Sequence, residues 1–212
     1  MSEPTTFRVV VMVSGEGTTL QSLIDEVHSP GGAIEVVRVI ASKPDAGALM
    51  RAATAGIATS VVALSGRARE ERDAELADVV AAAQPDLVVM AGWMSIVTGT
   101  FLGRFPDRVI NLHPSLLPAF PGMHAIDEAI AWGVRFTGVT VHFAEEVVDA
   151  GPPIVQEPVP VLYGDSPETV RERIREVEHR LVPLAVTLFA QGRVRRDRDN
   201  RRMVEVREDS WR

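Results

Sequence analysis

In the stretch NLHPSLLPAFPG, residues 111–122, an amide and an imidazole stand two residues apart, directly after the apolar pair Val109-Ile110. Alternation along a strand sends Asn111 and His113 out of the same face. An amide N–H beside an imidazole suits acyl-group transfer. The amide can hold the oxyanion of a tetrahedral intermediate, and a protonated imidazole can neutralise it or relay a proton. The pair also fits plain strand-end hydrogen bonding, and the two residues alone do not separate the readings. Pro114, Pro118 and Pro121 describe a stiff, mostly extended loop that needs few N–H partners. Asp149, in the turn DAGPP, offers a carboxylate that could orient His113 and favour its charged form, or could simply make an Asp turn. His142, on an alternating strand, reads as an interior histidine with its bonds satisfied. No pair of histidines has metal-ligand spacing, so no metal is expected.

A second candidate is the loop SGEGTT, residues 14–19. It lacks the third glycine of a dinucleotide fingerprint, because Leu20 stands there, and it lacks the lysine of a P-loop. What remains is a run of small residues opening a helix, whose free N–H groups and positive dipole end suit a phosphate. A tight turn without a ligand is equally compatible.

The elements that would position these groups follow from periodicity. Phe7 to Val13, Ile34 to Ile40, Thr59 to Leu64, Asp86 to Ala91 and Arg108 to Leu112 read as strands; helical patterns follow Gly17, run near 46–55 and run near 67–83, the last with Leu76, Val79, Val80 and Ala83 on one face. Strand and helix in alternation imply an α/β fold, with a mostly parallel Rossmann-like sheet and helices on both faces. TGVTVHF and PPIVQEPVPV follow each other with no room for a crossover helix, so antiparallel strands are expected toward the C-terminal end. A helix from about Pro167 to Gln191 has Asp165-Ser166 as cap candidates and Gly192 as its stop, and Pro183 predicts a kink or a break. The expectation is one domain over 1–193. Residues 194–212, dense in charge, form either a small hairpin turning at Asp199-Asn200 or a partly disordered tail.

Composition bounds the function. With 46% hydrophobic residues in 212 the chain can supply a full core, and a net charge of −7 gives no general electrostatic reason to expect nucleic acid or an anionic membrane surface as partner. There is no cysteine, hence no disulfide, thiolate metal site or thiol nucleophile, and the N-terminus carries no signal-like segment; a soluble, cytoplasmic protein is expected. The one lysine, Lys43, lies in a loop, so Schiff-base chemistry has a single candidate.

In order and wording these pieces resemble the folate-dependent glycinamide ribonucleotide formyltransferases of purine biosynthesis. The likeness runs from about residue 7 to about residue 193 through VSGEGTTLQSLID, ASKPDAGALMRAATAGI, PDLVVMAGWMSIV, RVINLHPSLLPAFPGMHAIDEAI, GVTVHFAEEVVDAGPPIVQEPVPV and GDSPETVRERIREVEHRLVP. The resemblance implies the formyltransferase fold and catalytic roles for Asn111, His113 and Asp149. It implies backbone amides of Gly17, Thr18 and Thr19 on the substrate phosphate and Glu178 on the ribose hydroxyls. It places Arg69, Met94, Ser95, Ile96, Val97, Glu145 and Glu146 around the folate. The co-substrate implied is 10-formyltetrahydrofolate, with no metal, and the partner is glycinamide ribonucleotide; a monomer or a homodimer fits.

The chain departs from the family pattern at Thr18-Thr19 (commonly Ser-Asn), at Ser95 (a frequent Arg), at Ala119 (a frequent Lys) and at Ala150 (usually Gly, so a cost in turn freedom is expected). Rival readings are a formyltetrahydrofolate hydrolase or a tRNA formyltransferase, each of which should carry a further domain, and a binding module that has lost catalysis.

Overall fold

The computed structural model describes residues 6–63 and 66–207, and the chain divides into two compact units, one ending at Ile110 and the other beginning at Asn111.

In the first unit the central strand β1 (Phe7–Val13) carries valine at four of its seven positions, and Val9 to Val13 are fully buried, as a strand covered on both faces must be. Parallel neighbours flank it. On one side is β2 (Ile34–Ala41), paired from Phe7↔Ile34 to Val13↔Ala41 with a one-residue register shift between Val9↔Val36 and Val10↔Arg38; on the other is β4 (Leu87–Met90), in register from Val9↔Leu87 to Met12↔Met90. The short β3 (Thr59–Val61) pairs parallel with β2. It is shorter than the pattern predicts, and Leu64, its expected end, lies outside the described residues. The crossovers are α1 (Thr18–Glu26), α2 (Gly47–Thr54) and α3 (Arg69–Ala82), and the one-turn α4 (Gly99–Leu102) follows β4.

The periodicity of α3 is only partly what the apolar pattern predicts. Leu76, Val80 and the following Ala83 are buried, but Val79 is half-exposed and the buried face includes Arg72 and Asp73. Those two charges satisfy each other, which a hydrophobic count cannot see.

The second unit holds β6 (Phe136–Phe143) and β7 (Pro153–Pro160), paired antiparallel as expected from the missing crossover. It also holds α5 (Ala125–Ala131) and the long α6 (Pro167–Ala190), which packs on β6 and β7. Ser166 caps α6 by accepting the Thr169 N–H, and Gly192 takes the left-handed conformation just beyond its end. Pro183 does not break this helix. Val182, Pro183, Ala185 and Val186 are all buried, and burial of that face offsets the one lost backbone bond. Beyond α6 the chain forms the hairpin β8 (Val194–Arg196) and β9 (Val204–Val206), the ordered alternative of the two expected; residues 208–212 of the tail lie outside the described residues.

β5 (Val109–His113) contains the unit boundary, and the seven strands of the main sheet follow the order β3-β2-β1-β4-β5-β6-β7. This is the expected α/β, mostly parallel, Rossmann-like sheet with its antiparallel pair at the C-terminal side.

Candidate active site

Asn111 and His113 leave β5 on one face and meet Asp149. His113 Nδ1 lies 3.2 Å from Asp149 Oδ2, and Asn111 Nδ2 donates over 3.4 Å to Oδ1 of the same carboxylate. The His113 ring is nearly inaccessible, at 5% exposure. Its Nε2 faces the Phe120 carbonyl at 2.8 Å, and a carbonyl only accepts, so Nε2 carries a proton. In the imidazolium a second proton, on Nδ1, completes the bond to Asp149.

Protonation of that ring is finely opposed. Burial holds His113 below the usual histidine range and outweighs the Phe120 carbonyl and the Asp149 charge, which favour the cation; His142 disfavours it further. Burial pushes the Asp149 carboxyl up, but the His142 imidazole, the Gly122 amide and His113 together hold it below the usual carboxylate range. The Gly122 N–H donates to Oδ2 over 2.8 Å. Asp149 therefore stays ionised, and a proton placed between the two groups resides on the imidazole rather than on the carboxylate.

His142 is a member of this cluster that the sequence pattern shows only as an interior residue. Its Nδ1 lies 2.8 Å from the Phe143 carbonyl and so bears a proton; its Nε2, 3.2 Å from Asn111 Nδ2 and 3.7 Å from Asp149 Oδ1, accepts from the amide in the neutral ring and donates to the carboxylate in the cation. That tautomer turns the Asn111 nitrogen, rather than its oxygen, toward Asp149. His142 is buried and satisfied, as its strand position predicts, but its partner is a candidate catalytic residue.

The backbone around the cluster is specific. Asp149 has φ 54 and Phe120 has φ 51, both left-handed. A Cβ on Gly151 would stand 1.7 Å from the Phe143 carbonyl oxygen, so only glycine fits there. Ala150 is not left-handed, and the expected cost of alanine in place of glycine does not arise. The proline loop is tied to β6 through Thr140, whose hydroxyl donates to the Ser115 carbonyl over 2.7 Å and accepts the Leu117 N–H over 3.1 Å.

The first unit presents main chain. Gly17 is the N-cap of α1 at φ 72, where a Cβ would stand 2.5 Å from that of Ala48, so the position excludes side chains twice over. No side chain caps this helix and no acid lies in its first turn, which leaves amides at Thr18 and Thr19 facing outward from the dipole's positive end. Ser14 anchors the loop's start: its Oγ accepts from the Ser42 hydroxyl over 2.8 Å and from the Met94 N–H over 2.9 Å.

In the segment after β4, Met94 and Ile96 are exposed and Ser95 is half-exposed, whereas Val97 points into the core at 4% exposure. Any contact from Val97 to a bound ring is therefore through its backbone. The segment is pinned by α3. Arg72 Nη2 bonds Asp73 Oδ1 at 2.5 Å and donates to the Ile96 carbonyl over 3.1 Å, and Asp73 Oδ2 accepts the Thr98 N–H over 2.7 Å. Arg69, the first residue of α3, is exposed.

In the second unit Glu178 is half-buried on α6, and desolvation pushes its carboxyl up to about 7 against the opposing charge of Arg175. Glu145 pairs with Arg196, and Glu146 is exposed. Among the described residues no group of three His, Asp or Glu side chains is arranged to hold a metal, and no helix is long and apolar enough to cross a membrane.

Residues 7–186 match the family model described as formyl transferase. The phosphoribosylglycinamide formyltransferase of Escherichia coli strain K12 is 39% identical over 88% of this chain and 89% of its own length. The bovine trifunctional purine biosynthetic protein adenosine-3 is 40% identical over 98% of this chain but only 20% of its own length, so the chain spans about a fifth of that relative. The crystal structure of glycinamide ribonucleotide transformylase 1 from Symbiobacterium toebii superposes with a TM-score of 0.90 at 42% identity, covering 96% of this chain and 95% of that one.

Proposed function

This chain belongs to the formyl transferase family and, within it, groups with the phosphoribosylglycinamide formyltransferases; on that premise we propose that it moves the formyl group of 10-formyltetrahydrofolate to the amine of glycinamide ribonucleotide. The observation that carries the reading is the convergence of Asn111, His113 and Asp149, with His142 behind them.

The amine nitrogen attacks the formyl carbon, and the carbonyl electrons move to oxygen. Asn111 donates to this oxyanion. Its 3.4 Å contact to Asp149 is the weakest bond in the cluster and is the one exchanged, while His142 keeps the amide nitrogen turned inward. Protonated His113 neutralises the oxyanion, with Asp149 supporting the imidazolium. The tetrahedral adduct then collapses: the carbon–N10 bond breaks, N10 gains a proton, and the attacking nitrogen loses one through the His113–Asp149 pair or through water. No covalent enzyme intermediate is needed.

The substrate phosphate is assigned to the amides of Gly17, Thr18 and Thr19, because an uncapped helix start supplies donors and a positive end within an acidic protein. Ribose hydroxyls are assigned to Glu178, and folate to Arg69, the backbone of residues 94–97 and the loop bearing Glu145 and Glu146. The binding partners are these two small molecules, and the site of action is the cytoplasm.

The test is incubation with 10-formyltetrahydrofolate and glycinamide ribonucleotide while deformylated folate is followed. Release that requires the amine supports formyl transfer. Release without it identifies a hydrolase, and intact binding with no release identifies an inactive binding module.

A further inference from the structure

The proposed chemistry makes no use of the arginine-rich hairpin, yet two of its side chains end on the loop that carries Asp149. Arg196, at the end of β8, is 11% exposed; its guanidinium pairs with Glu145 and lies 5.6 Å from the centre of the Phe143 ring, which rests edge-on against Phe189 of α6. Arg202, in the hairpin turn, donates to the Ala150 carbonyl over 3.0 Å. Glu145 and Ala150 bracket Asp149 from both sides.

The loop needs such support. From Ala144 to Ala150 no residue is fully buried, and Val147 and Val148 are exposed, so the apolar anchoring that usually fixes a loop is missing. Asp149 itself is held in a left-handed conformation that persists only where its surroundings impose it. The hairpin can supply that constraint because its own turn is closed. Asp197 Oδ1 accepts the N–H groups of Asp199 and Asn200 over 2.9 and 2.7 Å, and the Met203 N–H reaches the Asn200 carbonyl over 2.8 Å.

We propose that the hairpin from Arg193 to Arg207 is a brace for the Asp149 loop, with Arg196 and Arg202 as positioning residues acting through Glu145 and Ala150. The inference rests on the reading of Asp149 as part of the formyl-transfer site, but its test does not depend on that activity.

Amide hydrogen exchange over residues 144–151 and the NMR titration of His113 are measured in the wild type and in Arg196→Met, Arg196→Lys and Arg202→Ala. Arg196→Met should speed exchange in the loop about tenfold while β6 and α6 are unchanged, since local opening is set by few contacts. It should also move the His113 titration, and Arg196→Lys should recover part of both effects. In the formyl-transfer assay kcat should fall several-fold with KM for the amine substrate unchanged, the mark of lost positioning. Arg202 is exposed, so Arg202→Ala folds regardless and should show the same pattern at smaller size. Unchanged loop exchange in the folded variants overturns the proposal. So does faster exchange with an unmoved His113 titration, which would make the hairpin a stiffener and no more. If the wild type transfers no formyl group, exchange and titration still decide the brace.

Discussion

On the proposed reading the first unit offers a ligand main-chain amides, and the second offers side chains held in place largely by main-chain atoms behind them. In the first, Thr18 and Thr19 open α1 behind Gly17 and a loop anchored by the Ser14 hydroxyl, while the Arg72–Asp73 pair holds the backbone of residues 96–98. In the second, Asn111, His113 and Asp149 present their own polar atoms, and the Phe120 carbonyl, the Phe143 carbonyl (through His142) and the Gly122 amide fix them. The inversion explains where the chain departs from its family's wording. On the proposed reading Thr18, Thr19 and Ser95 alter side chains in places where the backbone would hold the ligand, so the site should survive them. The proposed catalytic side chains would have no such freedom, and in the first unit the sensitive positions would be the holders.

The comparison breaks first at His113. His113→Ala should lower turnover about 10³-fold, the order for removing a general acid that also stabilises the oxyanion, and leave phosphate-ligand affinity within about twofold. Steady-state kinetics beside calorimetric binding checks this, and a loss under tenfold would take the imidazole out of the chemistry.

Next in size is Asp73→Ala, which strands a buried guanidinium: a stability loss of about 3 kcal/mol is expected in urea unfolding. Folate affinity should fall with it, because residues 96–98 lose their anchor. A loss under 1 kcal/mol would show that the pair is not a holder.

Gly17→Ala forces φ 72 on a residue with a Cβ against Ala48, at a cost of about 2 kcal/mol, and should weaken phosphate-ligand binding about tenfold. Thr18→Ser, by contrast, should leave affinity within about twofold, since the amide is unchanged. Equal effects from the two would erase the main-chain reading of the first unit.

The smallest expected effect is the pH response of Glu178. Its pKa in the fold is about 7, above the ordinary 4.5, so the proton it keeps contributes stability that is complete below 4.5 and is lost as pH rises through about 7. The carboxylate accepts hydroxyl hydrogens more strongly than the acid does, so affinity for the ribose-bearing substrate should rise over the same range. Glu178→Gln should flatten both slopes, and an unchanged affinity profile would remove Glu178 from the ribose site.

Much of this was readable in the chain. β1, β2, β4 and α6 declare themselves because long apolar periods leave one geometry. Asn111 and His113 were visible as a pair because two-residue spacing on a strand is a geometric statement in itself. The role of His142 was not, because its partner lies 31 positions earlier and no local period links them. Arg72-Asp73 was masked by the apolar stripe of α3, since a charge counts as a surface signal until its counter-charge is known to share its burial. Pro183 misled in the other direction: a rule about one hydrogen bond yields when a whole face is buried.

By itself, then, the sequence determined the elements, their alternation and the residue types able to stabilise an oxyanion or to receive a phosphate, because those follow from local periodicity and side-chain chemistry. Only the tertiary structure decided which of those groups meet, which proton each imidazole nitrogen carries, and what the arginine-rich hairpin touches. Those are properties of contacts between residues far apart in the chain, and they depend on burial and partners that no local window contains.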